Sequence, residues 1–207
     1  MQSGRRRPWY SPPLPREQKF DSGSAGCVER LAAAVFDYAC EVEAEAQPPV
    51  ILCIGTDRST GDSLGPLVGT FLAEQADLPA QVFGTLDNPV HAANLQEVVD
   101  WLRVKYEVPL VVAVDACLGR LDSVGTITVG EGPLRPGAGV NKSLPAVGNI
   151  HVTGVVNVGG FMEYFVLQNT RLSLVMRMAR ATASGLAEAV HRLDQARQGR
   201  LIESSQG

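Results

Sequence analysis

Apolar positions follow two periods along the chain, one helical and one of short uninterrupted runs. From Ser24 to Ala46 the residues Val28, Leu31, Ala32, Val35, Phe36, Tyr38 and Ala39 recur at helical spacing, and Pro48 and Pro49 stop the pattern. The run Val50–Gly55 predicts a strand, and an apolar helical pattern from Asp62 to Gln75 predicts the next helix. A short strand follows over Ala80–Thr85, then a loop with Pro89 and His91, then a helix over Ala92–Tyr106 with Leu95, Val98, Val99 and Leu102 on one face. Leu110–Val114 is apolar on both faces, as a parallel strand covered on both sides must be. Further strands are expected at Gly125–Val129 and Asn149–Thr153, and helices at Gly159–Leu167 and Leu172–Leu193.

Strand and helix therefore alternate. The order predicts an α/β fold: a three-layer α/β/α sandwich around a mostly parallel sheet of about five strands. Residues 23–195 are expected to form a single domain. Residues 1–22 carry Arg5, Arg6 and Arg7 and the prolines Pro8, Pro12, Pro13 and Pro15, which predicts an extended arm rather than a helix or central strand. Residues 196–207 are polar and are expected to form a fraying tail. The Gly/Pro-rich stretch Gly130–Gly148 reads as a long loop or lid, a length that in compact domains usually serves function or motion. The arm and the first helix look like spare apolar elements, and a homodimer is the expectation they raise.

Composition narrows the classes. A hydrophobic content of 45% and a charged content of 19% are those of an ordinary globular domain. The net charge of -4 gives no general attraction to nucleic acid or to an anionic membrane, and neither is expected as a partner. No apolar run approaches the roughly 20 residues that span a bilayer. Proline follows the N-terminal arginines where a signal peptide needs its apolar segment, so a cytoplasmic protein is expected. The cysteines Cys27, Cys40, Cys53 and Cys117 show no metal-ligand spacing and read as buried thiols.

Chemistry concentrates in the segment Cys53-Ile-Gly-Thr-Asp-Arg-Ser-Thr-Gly-Asp-Ser-Leu-Gly-Pro66, where a strand passes to a helix through small polar residues. Such a loop lies at the carboxyl edge of a sheet, where open α/β folds build their sites. Asp62 begins the following helix and Asp115 ends the strand Leu110–Val114, so both carboxylates are expected at one crevice. Like charges that share a crevice have their pKa values driven apart, one carboxyl acting as acid and the other as base. Asp62 has a second reading, as a plain helix N-cap. Asp57, Arg58, Ser59 and Thr60 in the loop, and His91 after the second strand, are candidates for binding a substrate or an anion. His151, in the last strand, could complete a divalent-metal set with Asp62 and Asp115; packing beside the sheet is its other reading. The dinucleotide, P-loop and serine-hydrolase signatures are absent from the sequence.

Four motifs in order resemble the YyaC-type sporulation proteins: the segment Cys53–Pro66, Val114-Asp-Ala-Cys-Leu-Gly-Arg120, Pro136-Gly-Ala-Gly-Val-Asn-Lys142, and His151-Val-Thr-Gly-Val-Val-Asn-Val-Gly-Gly-Phe-Met-Glu-Tyr164. The resemblance covers about Pro49 to Ala181 and leaves the arm and the first helix outside. That family looks like a relative of the spore germination protease, whose motifs resemble Asp62-Ser-Leu-Gly-Pro66 and Val114-Asp-Ala-Cys117. It also looks related to the hydrogenase maturation proteases, which place Glu or Asp, Asp and His on the nickel of their substrate. The resemblance implies a peptidase-like phosphorylase/hydrolase fold and catalytic roles for Asp62 and Asp115. It implies a possible metal role for Asp62, Asp115 and His151.

The leading expectation is a sporulation-associated endopeptidase acting on a protein or peptide, with no cofactor required, in the cytoplasm of a sporulating cell or forespore. Two alternatives stay open: a non-catalytic sporulation factor binding a peptide or protein in the same crevice, and a metal-binding hydrolase of the maturation-protease kind.

Overall fold

The computed structural model describes residues 16–42, 47–106, 109–137, 144–160 and 162–205. The elements run β1 (Glu17–Asp21), α1 (Cys27–Glu41), β2 (Val50–Cys53), α2 (Leu64–Ala73), β3 (Gln81–Phe83), α3 (Leu95–Lys105), β4 (Val111–Gly119), β5 (Thr126–Glu131), β6 (Ile150–Val158), α4 (Glu163–Gln168) and α5 (Leu172–Ser205). All six strands form one sheet in the order β1-β5-β6-β4-β2-β3. The pairs β2–β3, β2–β4 and β4–β6 are parallel, and the pairs β5–β6 and β1–β5 are antiparallel.

Alternation along β2 divides the core in two. Ile51 and Cys53 join the large cluster with Leu31 and Val35 of α1, Leu64 and Leu72 of α2, and Met178 and Leu186 of α5. Val50 and Leu52 point the other way, into a smaller cluster with Leu95, Val99 and Leu102 of α3 and with Leu134 and Val147. Each fully buried leucine or methionine among these contributes about 1.5–3 kcal/mol. Helix α1 is thus a core element rather than a spare one: Leu31 and Ala32 have no exposed surface.

Three expectations need correction. The sheet has six strands rather than about five, because part of the proposed arm is β1. All four prolines of that arm precede Arg16, so Glu17–Asp21 keeps its N–H groups and pairs with β5 along the sheet's edge. Phe20 anchors it in the core, while Arg16 pairs with Glu131 and Glu41. Residues 1–15 of the arm lie outside the described residues, as do residues 138–143 of the long loop.

The second correction concerns the C-terminus, where α5 runs 34 residues to Ser205 instead of fraying after Asp194. Its buried stripe does end at Leu193. Beyond it the chain is polar but rich in good helix formers, and it is tied locally and to the body. Gln198 Nε2 donates to Asp194 Oδ2 (2.6 Å), and Arg197 Nη1 donates to the Gln47 carbonyl (2.6 Å). Third, the strand expected to end at Val114 continues to Gly119. Its pairing with β2 stops at Cys53↔Val114, but its pairing with β6 continues from Asp115↔Thr153 to Gly119↔Val158. Asp115 is therefore the first residue of β4 beyond the end of β2.

Candidate active site

Two glycines bring the Asp62 loop onto the end of β2. Gly55 has a φ of 148°, and a Cβ there would stand 2.0 Å from the Asp62 carbonyl oxygen. A Cβ on Gly65 would stand 2.0 Å from the carbonyl oxygen of Ile54. Only residues without a side chain let loop and helix lie this close to the strand. The Thr56 N–H then donates to the Asp62 carbonyl (3.1 Å), closing the loop on itself. Asp62 is not the helix cap. Ser63 holds that position, with its hydroxyl donating to the Thr60 carbonyl at 2.7 Å rather than capping. The structural duty that competed with a chemical role for the Asp62 side chain falls away.

A cleft of about 450 Å³ opens beyond the end of β2, within the size range of small-ligand sites. Both Asp62 and Asp115 line it, with Thr56, His91, Cys117, Arg135, Thr153, Glu163 and Tyr164 among the other walls. Asp115 Oδ1 accepts a hydrogen bond from the Ala116 N–H (2.8 Å). Burial nevertheless pushes its carboxyl up to about 8; the Ala116 bond opposes the rise and the negative charge of Asp62 adds to it. Asp115 keeps part of its surface open at the cleft, but its carboxyl is enclosed by neighbours. The Asp62 carboxyl is also raised by burial, moderated by the Ser59 hydroxyl. That hydroxyl oxygen is itself buried and completes no hydrogen bond of ordinary geometry. Asp115 thus feels the charge of Asp62 across the cleft, as a smaller contribution beside its burial.

The remaining candidates divide. His91 lines the cleft, and its Nδ1 accepts from the Ala93 N–H (3.3 Å), which leaves Nε2 to carry the proton of a neutral ring. Asp57 and Arg58 are exposed on the outer side of the loop, and neither they nor Ser59 and Thr60 line the cleft. Burial pushes the Cys117 thiol up to about 11, so it is no thiolate nucleophile near neutrality.

His151 is not brought to the acid pair. It shares a sheet face with Asp115 but stands two residues back on β6, opposite Ala113 of β4 and Gly130 of β5. The absent side chain of Gly130 leaves the space it fills: a Cβ there would lie 2.5 Å from the imidazole. Its Nδ1 bonds the Gly132 carbonyl (3.2 Å), and its Nε2 lies 3.6 Å from Glu17 of β1. Among the described residues no group of three or more His, Cys, Asp and Glu side chains could hold a metal ion. The donor set expected for a metal therefore does not form.

Sequence reasoning passed over Arg135, Glu163, Tyr164 and Leu167 as cleft residues. The motif ending at Tyr164 contained two of them, Glu163 and Tyr164, but nothing in its pattern says that α4 folds back. It does so because the Gly61 N–H donates to the Leu167 carbonyl (2.9 Å) and Asn157 Nδ2 donates to the Val166 carbonyl (3.1 Å).

The fold and cleft define an α/β protein with paired carboxyls at the end of its central strands. The chain belongs to the family described as "Protein of unknown function (DUF1256)", whose model matches residues 27–185. That span begins at Cys27, so α1, expected to lie outside the resemblance, is part of the family's unit. The chain is also similar to "Uncharacterized protein YyaC" of Bacillus subtilis (strain 168), with 57% identity over 145 residues, 70% of this chain and 71% of the relative. No helix among the described residues is long and apolar enough to cross a membrane.

Proposed function

We propose that the protein is a peptidase-type hydrolase of sporulating cells, acting in their cytoplasm on a spore or precursor protein. The observation that carries this reading is the placing of Asp62 and Asp115 on one cleft with no structural task for the Asp62 side chain. The reading takes the molecule as a three-layer α/β/α sandwich with a mostly parallel sheet, α3 being the outer layer over β2. The resemblance of Asp62–Pro66 and Val114–Cys117 to motifs of the germination protease supports the choice of peptide over other carbonyl substrates.

In the reaction Asp62, as carboxylate, accepts a proton from a water whose oxygen bonds to the peptide carbonyl carbon. Asp115, held protonated near neutrality, donates to the carbonyl oxygen as it gains negative charge. Collapse of the gem-diol re-forms a C=O bond and returns one hydroxyl proton to Asp115, the C–N bond breaks, and the departing amine takes the proton held on Asp62. No step runs through a metal, since His151 lies apart from the pair.

The test is to incubate the protein with a soluble extract of Bacillus subtilis spores and identify new peptide termini by mass spectrometry. New termini that vanish in both Asp62→Asn and Asp115→Asn are expected. Termini unchanged in both variants contradict the mechanism. The exposed apolar residues of α4 at the cleft mouth favour a second reading, a peptide-binding sporulation factor without cleavage. Capture of a spore protein by wild type and both variants alike, with no new termini, would select it.

A further inference from the structure

Apolar side chains from three separate parts of the fold also line the cleft that holds the acid pair. Leu118 comes from β4, Leu134 and Leu144 from either end of the segment after β5, and Tyr164 and Leu167 from α4. Helix α4 is only six residues long, and its sequence Glu-Tyr-Phe-Val-Leu-Gln is mostly apolar, yet it buries no residue. Tyr164 is 61% exposed and Phe165 53% exposed, their rings edge to face with centroids 5.9 Å apart. Met162, at the left-handed turn that starts the helix, is also exposed. Contiguous exposed apolar surface of this kind marks a place where another molecule is covered.

Continuity with the cleft says which molecule. Tyr164 and Leu167 are three residues apart on one helical face, and both line the cleft that holds Asp62 and Asp115. The end of α4 that bears Leu167 is pinned by the bonds from Gly61 and Asn157. At the other end the Gly159 N–H donates to the Gly119 carbonyl (2.8 Å) and the Gly160 N–H to Glu163 Oε1 (3.3 Å), one residue before Tyr164. The other charged groups on the walls, Arg135 and Glu163, are of opposite sign and give no net charge to select for.

We propose that the cleft takes a peptide segment with a large apolar side chain beside the bond to be cut, seated on Leu118, Leu134, Leu144, Tyr164 and Leu167. This substrate class rests on the peptidase reading above, but it is tested by binding alone. The experiment uses the Asp115→Asn protein and two capped pentapeptides, Gly-Gly-Leu-Gly-Gly and Gly-Gly-Asp-Gly-Gly, followed by leucine methyl NMR. The leucine peptide should bind at least about tenfold tighter, the scale on which apolar pockets discriminate. It should shift the methyls of Leu118, Leu134, Leu144 and Leu167, and Tyr164→Ala should weaken it severalfold. Equal affinities, shifts elsewhere, or no binding of either peptide at millimolar concentration would overturn the inference. So would a dimer of the free protein that Tyr164→Ala disperses and the peptide does not compete for, since the patch would then belong to a second copy. Selective binding with no cleavage by wild type keeps this inference and sinks the peptidase reading; unselective cleavage does the reverse.

Discussion

Asp115 carries a carboxyl in a place where ionisation is costly, and that cost reaches the stability of the whole chain. Its folded pKa of about 8 lies above the ordinary 3.8, so the folded state holds the proton more tightly than the unfolded state. The stabilisation is fully present below about pH 4 and is lost as pH rises through about 8. Asp115→Asn should therefore gain on wild type across that window, by about 1.4 kcal/mol per pH unit at the steepest. Denaturant midpoints at pH 5 and pH 9 check this, and a difference that does not grow with pH would contradict it. His151 makes the opposite case, a residue of promising type that the fold employs elsewhere. His151→Gln should cost about 1 kcal/mol through the bond to Gly132 while leaving cleavage intact, as thermal melts and terminus mapping would report. A loss of cleavage as complete as that of Asp115→Asn would put His151 back into the site.

At the scale of elements, β1 closes the antiparallel edge of the sheet and presents Glu17 to His151 and Arg16 to Glu131 and Glu41. Hydrogen bonding to Arg16 holds the Glu131 carboxyl below its usual range. Removing residues 1–21 should lower the melting temperature and leave β5 as an exposed edge prone to pairing with other chains, visible as light scattering on heating. A truncated protein that melts and scatters like the full chain would show that β1 contributes little. Elements with strong periodicity were legible in the sequence: α1, α2, α3 and the strands β2, β4 and β5 lie where their apolar residues repeat. β1 was not, since its five residues hold one buried side chain and follow a proline-rich stretch that suggested an arm. The full length of α5 was hidden for a related reason, because a polar helix past its last buried residue carries no hydrophobic period.

The whole molecule assembles its cleft from residues far apart in sequence: the Asp62 loop, the His91 loop, the middle of β4, the segment after β5, and α4. The sequence placed Asp62 and Asp115 at one sheet edge because parallel strands impose that edge on both. It misplaced His151, because which way a strand residue leans depends on a neighbour across the sheet, here Gly130, and the sequence does not reveal that pairing. It missed Arg135 and Tyr164 because loops and short helices are positioned by single hydrogen bonds. Whether Asp62 and Asp115 form one interacting pair is read out by carbon-13 NMR titration of the aspartate carboxyls. Asp115 should titrate near 8 in wild type. In Asp62→Asn it should shift downward while staying well above 4, since burial is the larger cause. An Asp115 that titrates near 4, or that ignores the loss of Asp62, would contradict the pairing.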